Sequence, residues 1–196
     1  MKQYYIHFKG KTLNPCSLDK AAYQEARQTW LCPGCCDPKP DVHQLDAHIQ
    51  DEQPEGPLNM VNGCGLAMAR RSFLLLFGEG RVLRYLNLGK VYGPGGKILD
   101  DWVTFIGKHK LFVRGSKQAQ HRVCSECGRD LYFAMGTNYL YPEPPQGVEL
   151  FQSDLWGLIV PADIAETLEI DEFKGIWVER LEVLAEPLDG LPAFGP

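Results

Sequence analysis

The chain has 196 residues, 44% of them hydrophobic and 23% charged, with a formal net charge of -5. That size suits one globular domain with a proper core, and an isoelectric point near 5.5 argues against a dedicated nucleic-acid binder, which normally shows a basic excess. The opening MKQYYIHFKG lacks the apolar stretch of a signal peptide, and no apolar run approaches the ~20 residues of a membrane helix, so a cytoplasmic protein away from membranes is expected.

In chain order, Tyr4-Tyr5-Ile6-His7-Phe8 is aromatic and branched and predicts an opening strand. Ser17 is placed to cap a helix over 18–31, where Leu18, Ala21, Ala22, Ala26 and Trp30 recur at helical spacing. Pro33-Gly34 ends it. Residues 36–59 lack periodicity and predict a long loop with one helical turn around Val42 to Ile49. From Leu66 to Phe77 an apolar run bounded by Gly78 and Gly80 predicts a buried helix. Residues 81–91 and 102–114 predict a sheet, with Val103–Ile106 and Lys110–Val113 forming a hairpin around Gly107-Lys108-His109, and Gly93-Pro94-Gly95-Gly96 a turn between. The last third predicts a strand at Leu155–Val160, a helix from Pro161 to Glu169, and a strand opened by Gly175 and running through Ile176–Leu181. Together these elements predict a single α+β domain over 1–196, with a mixed, mainly antiparallel sheet and a few helices. Trp102, Trp156 and Trp177 are expected in the core.

Chemistry concentrates in the cysteines. Cys32-Pro-Gly-Cys35 and Cys124-Ser-Glu-Cys127-Gly128 have the spacing at which both sulfurs of a tight turn face one ion, and two such turns complete the tetrahedral shell of Zn2+. Cys32, Cys35, Cys124 and Cys127 are therefore the predicted ligands of a zinc-ribbon-like structural site. Four thiolates leave no open position for a water nucleophile. His121 is an alternative ligand, Cys36 an alternative to Cys35, and thiol redox chemistry an alternative use of the pairs. Cys16 and Cys64 complete the seven.

No triad, acid-base pair or His-Glu-x-x-His pattern stands out. His7, His43, His48 and His109 occur singly, while Asp100-Asp101 and Asp171-Glu172 read as solvated turns. No catalytic residue is predicted, and a non-enzyme is expected. Charge is unevenly spread: residues 65–122 hold eleven basic and three acidic side chains, whereas residues 146–196 hold two and eleven.

The two knuckles, the run from Val148-Glu149-Leu150-Phe151-Gln152 through Glu179-Arg180-Leu181, and the stretch from Gly63 to Phe73 resemble the double-CXXCG proteins of myxobacteria, some of which are immunity proteins to Sit lipoprotein toxins. Cys36 departs from the pattern, standing where the family has Gly; that position requires a left-handed backbone, which Cys adopts at a higher energy. The resemblance implies an immunity protein that neutralises a toxin delivered between bacteria by stoichiometric binding. A toxin with a basic cleft would meet the acidic C-terminal block, making Glu166, Glu169, Asp171, Glu172, Glu179 and Glu182 the contact candidates. The alternative is a zinc-ribbon-like regulatory or nucleic-acid-binding module.

Overall fold

The computed structural model describes residues 3–8, 16–17, 20–39, 41–62, 66–111, 113–141, 143–153, 157–166, 168 and 175–184. The chain runs β1 (Gln3–Phe8), β2 (Cys16–Ser17), α1 (Lys20–Thr29), β3 (Ala47–His48), β4 (Leu58–Asn62), β5 (Ala67–Arg70), α2 (Arg71–Leu75), α3 (Glu79–Tyr85), β6 (Leu86–Tyr92), β7 (Ile98–Gly107), β8 (Lys110–Leu111), β9 (Val113–Val123), β10 (Asp130–Leu140), β11 (Phe151–Ser153), β12 (Leu158–Pro161), α4 (Ala162–Ala165) and β13 (Ile176–Val183). This is a mixed α+β fold with mainly antiparallel pairing, as expected.

Among the described residues the strands form two sheets. One has the order β8-β11-β12-β1-β13-β10-β9 and the other β2-β4-β5-β7-β6-β3. In the first, the two end strands are chain neighbours separated by position 112 alone, so the sheet curls back on itself. Tyr5, Leu111, Val113, Leu140, Phe151, Ile159 and Leu181 fill the inside of that curl. Its opposite face presents Ile6, Leu158, Val160 and Ile176 to the main core. The period-2 alternation of strand side chains produces this split, Tyr5 inward and Ile6 outward.

The main core is closed from the other side by Leu58, Ala67, Ala69, Val103 and Phe105 of the second sheet, by Phe73, Leu74, Val82 and Tyr85 of α2 and α3, and by Phe77 between the two helices. The second sheet's far face carries Ala47, Met68, Trp102 and Ile106, covered by Leu31, Ile49 and the half-buried Trp30, Val42 and Leu45. The Thr104 hydroxyl donates to the Leu45 carbonyl and fastens this cover.

Several expectations change. Residues 66–77 do not make one helix: Ala67–Arg70 is a strand between β4 and β7, and only Arg71–Leu75 is helical. Buried on both faces, Ala67-Met68-Ala69 shows no alternation and reads like a buried helix. Residues 79–85 are helical and not sheet; Glu79 in the first turn and Arg84 in the last complement the helix dipole. The hairpin around 107–109 is absent, because β7 pairs with β5 and β6 whereas β8 pairs with β11 of the other sheet. Gly107 N–H donates to Gln152 Oε1 (2.8 Å) and Gln152 N–H to the His109 carbonyl (3.0 Å), so the turn hands the chain from one sheet to the other.

Residues 42–49 hold no helical turn and run extended, with Ala47–His48 paired to β6. The first helix spans Lys20–Thr29, Ser17 belongs to β2, and positions 18–19 lie outside the described residues. Pro161 caps a helix that covers only Ala162–Ala165. Asp100 and Asp101 are exposed strand residues of β7 and not a turn. Trp102 is buried as expected, but Trp177 is 50% exposed, and Trp156 lies outside the described residues.

Candidate metal centre

The two knuckles come from different parts of the fold, the first from a loop laid on the second sheet and the second from a hairpin of the first sheet. Leu31 is fully buried on the far face of the second sheet, and its bridge to Pro38 makes the first knuckle the tip of a minimal hairpin. Lys39 strengthens that base, its N–H donating to the Trp30 carbonyl (2.9 Å) and its Nζ to the Thr29 carbonyl at the end of α1 (2.7 Å). The second knuckle is the tip of the long β9–β10 hairpin, where Val123 pairs with Asp130.

Each tip is wound the same way. Cys36 N–H donates to the Cys32 carbonyl (2.8 Å) and Cys32 N–H to the Asp37 carbonyl (2.8 Å); Gly128 N–H donates to the Cys124 carbonyl (2.9 Å) and Cys124 N–H to the Arg129 carbonyl (2.8 Å). The winding demands a left-handed backbone one residue past the second cysteine. Gly128 supplies it at φ 70°, and Cys36 adopts it at φ 61°, the one non-glycine positive φ among the described residues. A side chain there costs about 1–2 kcal/mol, and the first knuckle bears that cost.

The Sγ atoms of Cys32, Cys35, Cys124 and Cys127 lie within 4.8 Å of one another. Cys32 and Cys124 sulfurs are 3.7 Å apart, as are those of Cys35 and Cys127. A tetrahedron with Zn–S bonds of ~2.3 Å has S···S edges of about 3.8 Å, so two of the six edges already have the length zinc requires. Cys32 and Cys124 are buried and Cys35 and Cys127 half-buried, giving the centre one protein-facing and one solvent-facing side. The predicted ligand set is thus brought together in a zinc-ribbon-like arrangement. The His121 side chain and Cys64 lie outside the described residues, as does the side chain of Cys16.

Proton affinities within the cluster diverge. The Cys35 N–H aimed at Cys32 holds that thiol down at about 7, against the opposing effect of its burial, with the Gly34 N–H assisting. Burial pushes the Cys35 and Cys127 thiols up. A bound cation would draw all four to thiolates, since metal coordination favours the deprotonated ligand. If bound, Zn2+ would serve as a cross-link of distant segments, with its shell closed by protein.

Gly34 permits the close approach of the tips. A Cβ added there would stand 2.8 Å from Cys124 Sγ and 2.8 Å from Glu126 Cγ. Glu126 can swing away, but Cys124 is buried with its sulfur 3.7 Å from that of Cys32. Gly34→Ala is therefore expected to weaken zinc binding about tenfold or more, read by competition with a chromophoric chelator, whereas Gly128→Ala, with open space around the added carbon, should show only backbone strain.

One pair escaped the sequence reading. Arg129 Nη1 lies 3.0 Å from Asp37 Oδ2, and Arg129 Nη2 donates to the Pro38 carbonyl at 2.6 Å. Lys110 sits within their field: its surface is exposed, yet surrounding protein lowers its ammonium pKa, Arg129 adds to that and Asp37 opposes it. The only available signal was positional, since Asp37 and Arg129 each stand five residues after the first cysteine of their knuckle.

Of the proposed contact carboxylates, Glu166 and Glu182 are exposed, and Glu179 is half-buried and accepts from Asn138 Nδ2 (2.7 Å). Glu169, Asp171 and Glu172 lie outside the described residues. The basic stretch does not stay wholly at the surface. Arg70 lies over the Trp102 ring (5.0 Å) and donates to the Gly56 carbonyl, Arg81 pairs with Glu149 (2.7 Å), and Arg114 is buried. No helix among the described residues is long and apolar enough to cross a membrane. Compared with known proteins, the chain matches no family model and no curated sequence.

Proposed function

We propose that the protein is a non-catalytic binding module braced by one structural Zn2+, and that its role is that of an immunity protein occupying a cognate toxin. The observation that carries the reading is the four-sulfur cluster. Four protein thiolates around zinc leave the metal no vacant position at which to activate water, which suits a brace. The toxin-binding role rests on the resemblance of the knuckles and the C-terminal strands to the double-CXXCG proteins. Exposed Glu166 and Glu182 support an acidic contact face, and the half-exposed Trp177 of β13 adds the kind of aromatic anchor that dominates protein interfaces.

The test is co-expression of the zinc-loaded protein with the product of the adjacent reading frame. A one-to-one complex that abolishes that product's toxicity is expected; a protein that neither binds nor protects would overturn the role. Within such a complex, Trp177→Ala should weaken binding about 30-fold or more by speeding dissociation with little change in the association rate, and Glu166→Lys with Glu182→Lys should lower the association rate in a salt-dependent way, both read by surface plasmon resonance.

The second reading is a zinc-ribbon-like regulatory or nucleic-acid-binding module, favoured by the ribbon geometry itself. Its signature is binding to DNA or RNA that weakens steeply between low and moderate salt. Internal engagement of Arg70, Arg81 and Arg114 removes cations from the surface such binding would use, so the protein partner is preferred.

A further inference from the structure

Asp37 and Arg129 occupy equivalent positions in two identically wound tips, carry opposite charges, and meet. From this we infer that Arg129 is a positioning residue for the metal centre: its salt bridge to Asp37 and its hydrogen bond to the Pro38 carbonyl latch the knuckles together before any ion binds, so that zinc enters a site already assembled. The inference rests on the structural-zinc reading and adds to it how the site is held.

The geometry shows why the pair can do this. Asp37 and Arg129 are tied through their own main-chain carbonyls to Cys32 N–H and Cys124 N–H, so each side chain reports the position of its knuckle's first ligand. One contact alone would leave the tips free to pivot. Arg129 makes two, to a carboxylate of the first knuckle and to the carbonyl of the residue that closes that knuckle's hairpin against Leu31. The side chains are 24% and 22% exposed, enough enclosure to reduce the solvent screening that makes most surface ion pairs nearly worthless. Gly34, lying against Cys124 Sγ, adds steric interlock at the same seam.

Partners that orient metal ligands typically change metal affinity 10–100-fold when removed. Arg129→Ala and Asp37→Ala should each lower zinc affinity within that range, measured by competition with a chromophoric chelator. Arg129→Lys should fall between, keeping the charge but not both bonds. The reversed pair Asp37→Arg with Arg129→Asp should bind zinc more tightly than the product of the two single reversals allows. Cobalt loading should give the same four-thiolate absorption bands in every variant, showing that the ligand set is intact.

In the metal-free wild type, amide hydrogen exchange at Cys124 and Gly128 should be protected, and Arg129→Ala, which keeps each tip's own main-chain bonds but frees the tips to swing apart, should speed that exchange. Unchanged affinity in both alanine variants, or strictly additive losses in the reversed pair, would overturn the latch. If the wild type itself bound no zinc, the structural-metal reading would fail, and protection in the metal-free protein would then decide whether the knuckles dock on their own.

Discussion

A Cys124→Ser variant is expected to purify without its equivalent of zinc and to melt roughly 10–20 °C below the zinc-loaded wild type. The magnitude follows from chain entropy. A zinc ion held by these sulfurs would join residues 92 apart in sequence, and a covalent link closing a loop of about 100 residues is worth about 4.7 kcal/mol in the unfolded-state accounting. At this chain length each kilocalorie moves the midpoint by about 2–4 °C. Cys124 is the sharpest choice because it is buried, its sulfur touches that of Cys32, and the Gly34 approach is built around it.

Chelation of the wild type should reproduce the variant's melting temperature, and re-addition of zinc should restore only the wild type. Acid should act in the same direction: as pH falls, protons compete with the ion for thiolates, so zinc is released at low pH and retained at neutral pH. Damage should begin at the long hairpin. β9 and β10 pair with each other over almost their whole length, while β13 meets β10 only at Tyr139 and Leu140. Limited proteolysis of metal-free protein should therefore cut first between about residues 116 and 136. Equal melting temperatures with and without zinc would show that the centre braces nothing.

The four-cysteine cluster was legible in the sequence because it depends on residue type and short spacing, both visible in a linear string. Two cysteines separated by two residues state their own geometry, and the need for a left-handed residue after the second could be read at Cys36 and Gly128 alike. The opening and closing strands were legible for a related reason, since Tyr4–Phe8 and Ile176–Leu181 are branched, aromatic and short. What stayed hidden depends on what lies opposite. Ala67–Ala69 is a strand because β4 and β7 flank it and cores cover both faces, and nothing in three small apolar residues announces two covers. The turn at 107–109 looks like a hairpin from its own residues, but Gln152 supplies the carbonyl that captures Gly107 N–H from 45 positions away. The Asp37–Arg129 pair is the same case in side-chain form, two ordinary surface residues until the knuckles are placed together.

The position of the proposed latch also explains how so weak a device can act at a site shaped for a metal. An ion pair on two freely moving loops would be lost to screening and side-chain entropy. Here both loops are already narrow: the first is pinned by Leu31 and Pro38, the second by the Val123 and Asp130 pairing, and each ring of main-chain hydrogen bonds leaves little freedom beyond the swing of whole tips. Little remains for Arg129 to order, so a modest interaction suffices to select the assembled arrangement.

Phe105→Ala should lower stability as Cys124→Ser does but leave zinc binding intact, and the comparison separates the brace from the body. Phe105 is fully buried at the centre of the second sheet, paired with Ala67 on one side and Leu88 on the other, in the core shared by both sheets and by α2 and α3. Removing the ring leaves a cavity that small alanine and valine neighbours fill poorly, and such truncations cost about 3–5 kcal/mol. Against a total of roughly 5–15 kcal/mol for a domain, that loss should shift the whole denaturation curve to lower denaturant with its slope unchanged. Yet the folded fraction should bind zinc with wild-type affinity, because the core around Phe105 includes no knuckle residue and the knuckles' supports, Leu31 and the β9–β10 pairing, lie in the far-face cover and in the other sheet. A Phe105→Ala protein that folded normally but lost its zinc would mean that the knuckles are held by the main core, and that the separation between a self-sufficient body and a metal-closed seam is wrong.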